Sequence, residues 1–188
     1  MNQEWKGKWA LVTGGSSGIG VALARQLAAG GTYLVLTARR RERLEELARA
    51  LQQSHGIRTE VFTADLARPE APQEIYDFTK QKGIEIDLLI NNAGLALGTA
   101  PAQNASLDQW NQMIETNITG LVTLTYKLLS TLIARKGAII NISSVAASYP
   151  YPGGNVYGGT KAFVSQFSLG LRSDLHGTGV RVTSVEPA

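Results

Sequence analysis

Six short apolar runs punctuate the sequence: "WALVTG", "YLVLTA", "TEVFTA", "DLLINN", "AIINIS" and "VRVTSV", starting at residues 9, 33, 59, 87, 138 and 180. Each is too short for a buried helix and largely apolar, so each reads as a buried strand. Longer amphipathic stretches separate them, and the spacing predicts helices over 18–29, 41–54, 69–82, 108–134 and 157–176, with Gly30, Gly56 and Gly177 placed as stops. Strands apolar on both faces and alternating with helices require a parallel sheet covered on both sides. The expected fold is therefore a doubly wound, three-layer α/β domain of the Rossmann type. With 188 residues and 44% hydrophobic content, the chain suffices for one buried core, read as a single domain over 1–188.

In such a sheet a ligand sits beyond the carboxyl ends of the strands, at the switch point between the first and fourth. The first strand ends in "TGGSSGIG", Thr13 to Gly20, whose Gly14, Gly18 and Gly20 lead into a helix. Without Cβ atoms the backbone turns tightly, approaches a pyrophosphate and offers it helix N-terminal amides. The spacing departs from the usual G-x-G-x-x-G, but its place between strand and helix points to a dinucleotide. At the end of the second strand, where an acid would grip a ribose 2′-hydroxyl, stand Ala38, Arg39 and Arg40. An arginine there suits a 2′-phosphate, so NADP is expected over NAD. Arg41 and Arg43 read as helix surface. Asp65 and Leu66 follow the third strand, where the aspartate either meets an adenine edge or caps the next helix. "NNAG" (91–94), closing the fourth strand, puts Asn92, Ala93 and Gly94 along the same wall.

Two Tyr-x-x-x-Lys pairs occur, Tyr76/Lys80 and Tyr157/Lys161. One helical turn apart, the members of each pair face one way, and a lysine cation beside a phenol favours the phenolate, as an acid–base catalyst needs. The first pair follows the third strand, toward an edge of the sheet and away from the switch point, and is read as structural. The second follows the fifth strand, beside the fourth, where Ser144 can add a hydroxyl to orient a carbonyl oxygen.

Taken together, "TGGSSGIG", "NNAG", Asn117 in "ETNITG", Ser144, Tyr157 and Lys161 resemble, in order and spacing, the pattern of the short-chain dehydrogenase/reductases, over essentially all 188 residues. The resemblance implies hydride transfer between a nicotinamide cofactor and an alcohol/carbonyl pair. Tyr157 would be the general acid/base, Lys161 would hold the nicotinamide ribose, Ser144 would bind the substrate oxygen, and Asn117 would keep a water in the proton relay. The implied cofactor contacts are Gly14, Ser16, Ser17, Gly18, Ile19, Gly20, Arg39, Arg40, Asp65, Leu66, Asn92, Ala93, Gly94, Tyr157, Lys161 and Pro187. The second half, "NNAGLALGTAPA" and the run from "PYPGGNVYGGTK" to "VEP", is similar to NADP-dependent 3-hydroxy acid dehydrogenases. The first half is more like general short-chain reductases. These likenesses imply a small hydroxy acid or carbonyl substrate, with serine and 3-hydroxypropionate in view. The alternatives are a reductase of broader ketones and aldehydes, or an NADP-holding redox sensor, against which the complete Ser/Tyr/Lys set argues. The family's substrate-covering loop, last helix and last strand are expected to be missing.

The absence of cysteine removes disulfides and thiolate metal sites and makes a cytoplasmic protein the simpler expectation. His55 and His176 have no partners at metal-ligand spacing, so no metal is expected. No stacking aromatics interleave with the arginines of "ARRRER", so no nucleic acid is expected, and no run of eighteen apolar residues calls for a membrane. Extra apolar residues in "LVTLTYKLLSTLI" and "AFVSQFSLGL" anticipate a homo-oligomer, and the resemblance makes it a tetramer.

Overall fold

A computed structural model describes residues 4–188. Six strands, β1 (Trp9–Thr13), β2 (Tyr33–Ala38), β3 (Thr59–Thr63), β4 (Ile86–Asn91), β5 (Ala138–Ile142) and β6 (Arg181–Val185), form one sheet in the order β3-β2-β1-β4-β5-β6. All five pairings are parallel. This is the doubly wound order, with its switch point between β1 and β4. The helices are α1 (Gly18–Ala29), α2 (Arg41–His55), α3 (Ala71–Gln81), α4 (Leu107–Ile114), α5 (Leu121–Ala134) and α6 (Asn155–Asp174). None is long and apolar enough to cross a membrane among the described residues.

Alternation along the strands splits the core in two. On β1, Trp9 and Leu11 join Ile75, Leu124, Leu128 and Leu132 of α3 and α5, while Ala10 and Val12 join Ala24, Leu44, Leu47 and Leu51 of α1 and α2. The central strands β1 and β4 are buried along their whole length. The edges depart from the buried strands expected from sequence: β3 is only partly covered, and β6 exposes Arg181, Thr183 and Val185. A sheet edge has a neighbour on one side only, so its composition alone overstates its burial.

The stretch 108–134 is not a single α-helix. Between α4 and α5 lies a π-helical turn over Glu115–Gly120, which holds Asn117. Gly120 at its end packs against the Leu66 carbonyl, where an added Cβ would stand 2.5 Å from the oxygen. Gly30 and Gly56 cap α1 and α2, as expected; Gly56 does so with φ 64°, while after α1 the left-handed residue is Gly31 (φ 81°). Gly177 (φ 82°) lies beyond Leu175, which ends α6.

Candidate active site

The carboxyl ends of the strands enclose a cleft of about 500 Å³. Its floor is the glycine turn after β1. Gly14 and Gly18 take φ of 66° and 53°, values that side chains resist. At Gly18 a Cβ would meet nothing within 4 Å, so backbone faces open space there, and at Gly14 it would meet Asn92 Nδ2 at 2.7 Å. Gly20 stands behind the lining: its Cβ would collide with the Gly14 carbonyl, so glycine lets α1 sit against the turn. Ser17 precedes α1 without a side-chain cap bond, and no acid occupies the first helical turn, which leaves the amides and the positive end of the helix turned to the cleft.

Thr13 and Asn92 lock β1 to β4. The Thr13 hydroxyl accepts from the amides of Asn92 (3.0 Å) and Ala93 (2.9 Å), and Asn92 Nδ2 donates to the carbonyls of Thr13 (3.0 Å) and Gly14 (3.2 Å). From β2, Arg39 and Arg40 reach the cleft. Arg40 donates to the Ser16 hydroxyl from Nη2 at 3.1 Å and Nε at 3.3 Å, while the Arg39 guanidinium has no hydrogen-bond or ion-pair partner among the described residues. Asp65 lines the cleft and does not cap α3, whose N-cap position is Glu70. Its Oδ1 accepts from the Ala67 amide at 3.1 Å.

On the other side, α6 starts at Asn155, so Tyr157 lies in its first turn and Lys161 in its second. Both line the cleft with Ser144 and Pro187. Lys161 is 5% exposed, its Nζ lies 5.8 Å from the Tyr157 ring centroid, and it donates to the Ile142 carbonyl at 2.8 Å. Burial lowers the Lys161 pKa from 10.5 to about 8, so it stays cationic at neutral pH. The Ser144 oxygen accepts from the Ala146 amide at 3.1 Å, which leaves its own O–H to donate. Asn117 is 1% exposed and stands behind the lining: Oδ1 accepts from the Leu95 amide (2.9 Å) and Nδ2 donates to the Leu95 carbonyl (2.9 Å) and Thr160 hydroxyl (3.0 Å). Gly94 separates it from the lysine; a Cβ there would lie 3.2 Å from Lys161 Nζ and 3.4 Å from Asn117 Oδ1.

The cleft thus gathers sixteen of the residues singled out from sequence, with Gly20 and Asn117 behind it. It also contains Thr37, Ala64, Leu95, Ala96, Thr116, Ile142, Ser143 and Ala188. The strand-end rule that nominated Arg39 would equally have nominated Thr37, Ala64 and Ser143. Tyr76 and Lys80 lie elsewhere, though not at the sheet edge. The crossover from β3 back to β4 carries α3 across the sheet, so Lys80 sits with Trp9 and Asp87 at the opposite, amino end of β1 and β4.

The glycine turn and the amides of α1 fit a dinucleotide pyrophosphate. A parallel sheet of this order with such a cleft at its switch point defines a dinucleotide-binding domain. The sequence pattern of the short chain dehydrogenases matches residues 8–188, and the chain belongs to that family. It is 56% identical over 178 residues to serine 3-dehydrogenase of Agrobacterium fabrum, covering 94% of this chain and 70% of that protein. To the NADP-dependent 3-hydroxy acid dehydrogenase YdfG of Escherichia coli K12 it is 48% identical over 178 residues, with the same two coverages of 94% and 70%. Among solved structures, the closed form of serine dehydrogenase complexed with NADP+ superposes with a TM-score of 0.87 at 47% identity, covering 95% of this chain and 71% of the other. L-sorbose reductase from Gluconobacter frateurii, complexed with NADPH and L-sorbose, gives 0.94 at 33% identity, covering 100% and 72%.

Proposed function

We propose that the chain is an NADP(H)-dependent oxidoreductase that interconverts an alcohol and a carbonyl, with small 3-hydroxy acids such as serine or 3-hydroxypropionate as its substrates. The observation that carries this reading is the buried Lys161 ammonium, 5.8 Å from the Tyr157 ring, at the wall of a cleft floored by the glycine turn. When bound, NADP(H) supplies or accepts the hydride. The chain's own residues place the reactants and handle the proton.

Tyr157 is the general acid/base at its phenolic oxygen, giving a proton to the carbonyl oxygen in reduction and taking it back from the alcohol in oxidation. Lys161 supports the phenolate electrostatically and holds the cofactor's nicotinamide ribose. Ser144, with its hydrogen uncommitted, donates to the substrate oxygen and aligns it. Asn117 fixes the turn from Gly94 to Leu95 and orders the water through which protons reach Lys161. Arg39, with Arg40 already engaged on Ser16, is the guanidinium that meets the 2′-phosphate. A 3-hydroxy acid as substrate draws its support from the names of the two curated relatives. The exposed Tyr126, Ile133, Phe163 and Leu169 on α5 and α6 support self-association, read as a tetramer.

The experiment is a turnover assay with NADP+ or NAD+ against L-serine, 3-hydroxypropionate and a set of plain secondary alcohols. NADP+-dependent oxidation of the hydroxy acids is expected. Turnover of the plain alcohols alone would shift the reading to a broader ketone reductase, and tight NADPH binding with no turnover of any of them would mark a sensor.

A further inference from the structure

Lys161 is gripped from both ends by consecutive residues of one strand exit. Its Nζ donates to the carbonyl of Ile142 at 2.8 Å, and its own backbone carbonyl accepts from the Ser143 hydroxyl, also at 2.8 Å. Ser143 is 3% exposed and lies between the end of β5 and the second turn of α6. Its hydroxyl also stands 2.8 Å from that of Ser165, one turn further along α6, and Ser165 donates to Glu186 Oε1 at 2.7 Å. A hydroxyl carries one hydrogen. With the Ser165 hydrogen spent on the glutamate, the one Ser143 hydrogen serves the Lys161 carbonyl and the Ser165 oxygen together, and it adds to the amide bond that this carbonyl already accepts within α6.

From this geometry we infer that Ser143 is a positioning residue for Lys161, fixing the helical turn on which the ammonium is carried so that it stays at the cleft wall beside Tyr157. A buried cation gains solvation by moving outward, and the hydrogen bonds within α6 hold the shape of its turn but not that turn's seat against the end of β5. The Ser143 bond fixes the backbone, and the Ile142 bond then fixes the tip. In this role the Ser143 hydroxyl acts through Lys161, and it is turned to the lysine carbonyl and to Ser165. The inference rests on the reading of Lys161 given above.

The test compares Ser143→Ala, Ser143→Thr and Ser165→Ala by two measurements: an NMR titration of the Lys161 ammonium without ligand, and NADPH affinity. In Ser143→Ala the lysine should titrate closer to its ordinary 10.5 than to about 8, because a released turn lets water reach it. NADPH should bind roughly fivefold more weakly, the equivalent of one hydrogen bond. Ser143→Thr, which keeps the hydroxyl, should restore both. Ser165→Ala should stay within about twofold of the parent, since it leaves the Ser143 bond in place. A Lys161 titration in Ser143→Ala that overlays the parent's would overturn the inference, as would a Ser165→Ala shift as large as that of Ser143→Ala. Should Tyr157→Phe keep its turnover while Ser143→Ala still moves the lysine titration, the catalytic reading fails and the positioning role stands.

Discussion

Replacing Lys161 with methionine should make the protein more stable and less able to bind NADPH. Burial lowers the lysine pKa from 10.5 to about 8, which at about 1.4 kcal/mol per pH unit is a cost of about 3 kcal/mol for keeping the ammonium in place. Methionine has a similar length and no charge, and its substitution forfeits the hydrogen bond from the ammonium to the Ile142 carbonyl, about 2 kcal/mol. The net gain at neutral pH is about 1 kcal/mol, or roughly 2–4 °C in Tm for a chain of this size. The sign of the pH dependence follows from the depressed pKa. Below about 8 both folded and unfolded chains hold the proton and the cost is complete; between about 8 and 10.5 the folded protein sheds it while the unfolded chain retains it, so the parent gains stability as pH rises. The advantage of Lys161→Met should therefore be largest at neutral pH, vanish before 10.5 and reverse there, where only the lost hydrogen bond remains. Urea unfolding of both proteins across this range measures it. A variant less stable than the parent at neutral pH, or a difference that does not change with pH, would refute the reasoning.

Tyr157→Phe should lower turnover by about 10²- to 10⁴-fold with NADPH binding preserved, whereas Tyr76→Phe should stay within about twofold; steady-state assays at saturating cofactor compare them. Arg39→Asp should reverse the cofactor preference, read as the ratio of NADPH to NADH dissociation constants, and an unchanged ratio would transfer the role to Arg40 and Ser16. Gly20→Ala should weaken NADPH binding at least tenfold, because its methyl group meets the backbone oxygen of Gly14 and must displace the turn. Asp87→Ala should cost about 2 kcal/mol in urea unfolding, since the buried carboxylate accepts from the Trp9 amide at 3.0 Å and Arg135 Nε at 2.8 Å.

What the sequence revealed and what it hid have physical causes. The sheet order and the cleft were legible because central parallel strands are buried on both faces, and "WALVT" and "IDLLIN" show that in every residue. The π turn at Glu115–Gly120 was hidden: one added residue per turn leaves composition unchanged, and only the approach of Gly120 to Leu66 records it. The seat of Tyr76/Lys80 was misplaced because strand order locates β3 at the edge but does not say how far α3 travels back toward β4. Ser143 passed unnoticed beside Ser144, since a hydroxyl that bonds a backbone carbonyl has no signature in spacing.

The molecule has a second cleft, of about 390 Å³, at the amino end of the sheet, and the contrast shows what distinguishes a working site from a recess. Charged groups are dense there too: Lys80, Glu85, Asp87 and Arg135 all line it. They answer one another, however. Arg135 pairs with Asp87 at 2.8 Å and Glu85 at 3.2 Å, its pKa is raised chiefly by the hydrogen bond to Asp87, and Lys80 rests over the Tyr76 ring, 5.3 Å from its centroid. At the carboxyl end the groups are left incomplete. Lys161 is held by carbonyl oxygen and not by a carboxylate, and the first turn of α1 has no capping side chain. Each of these costs stability in the absence of a ligand, and each is relieved by a polyanion with hydroxyl groups. A cation without a carboxylate and an uncapped helix start, more than cleft volume or charge density, therefore support the proposed chemistry at the end of the sheet where Tyr157 stands.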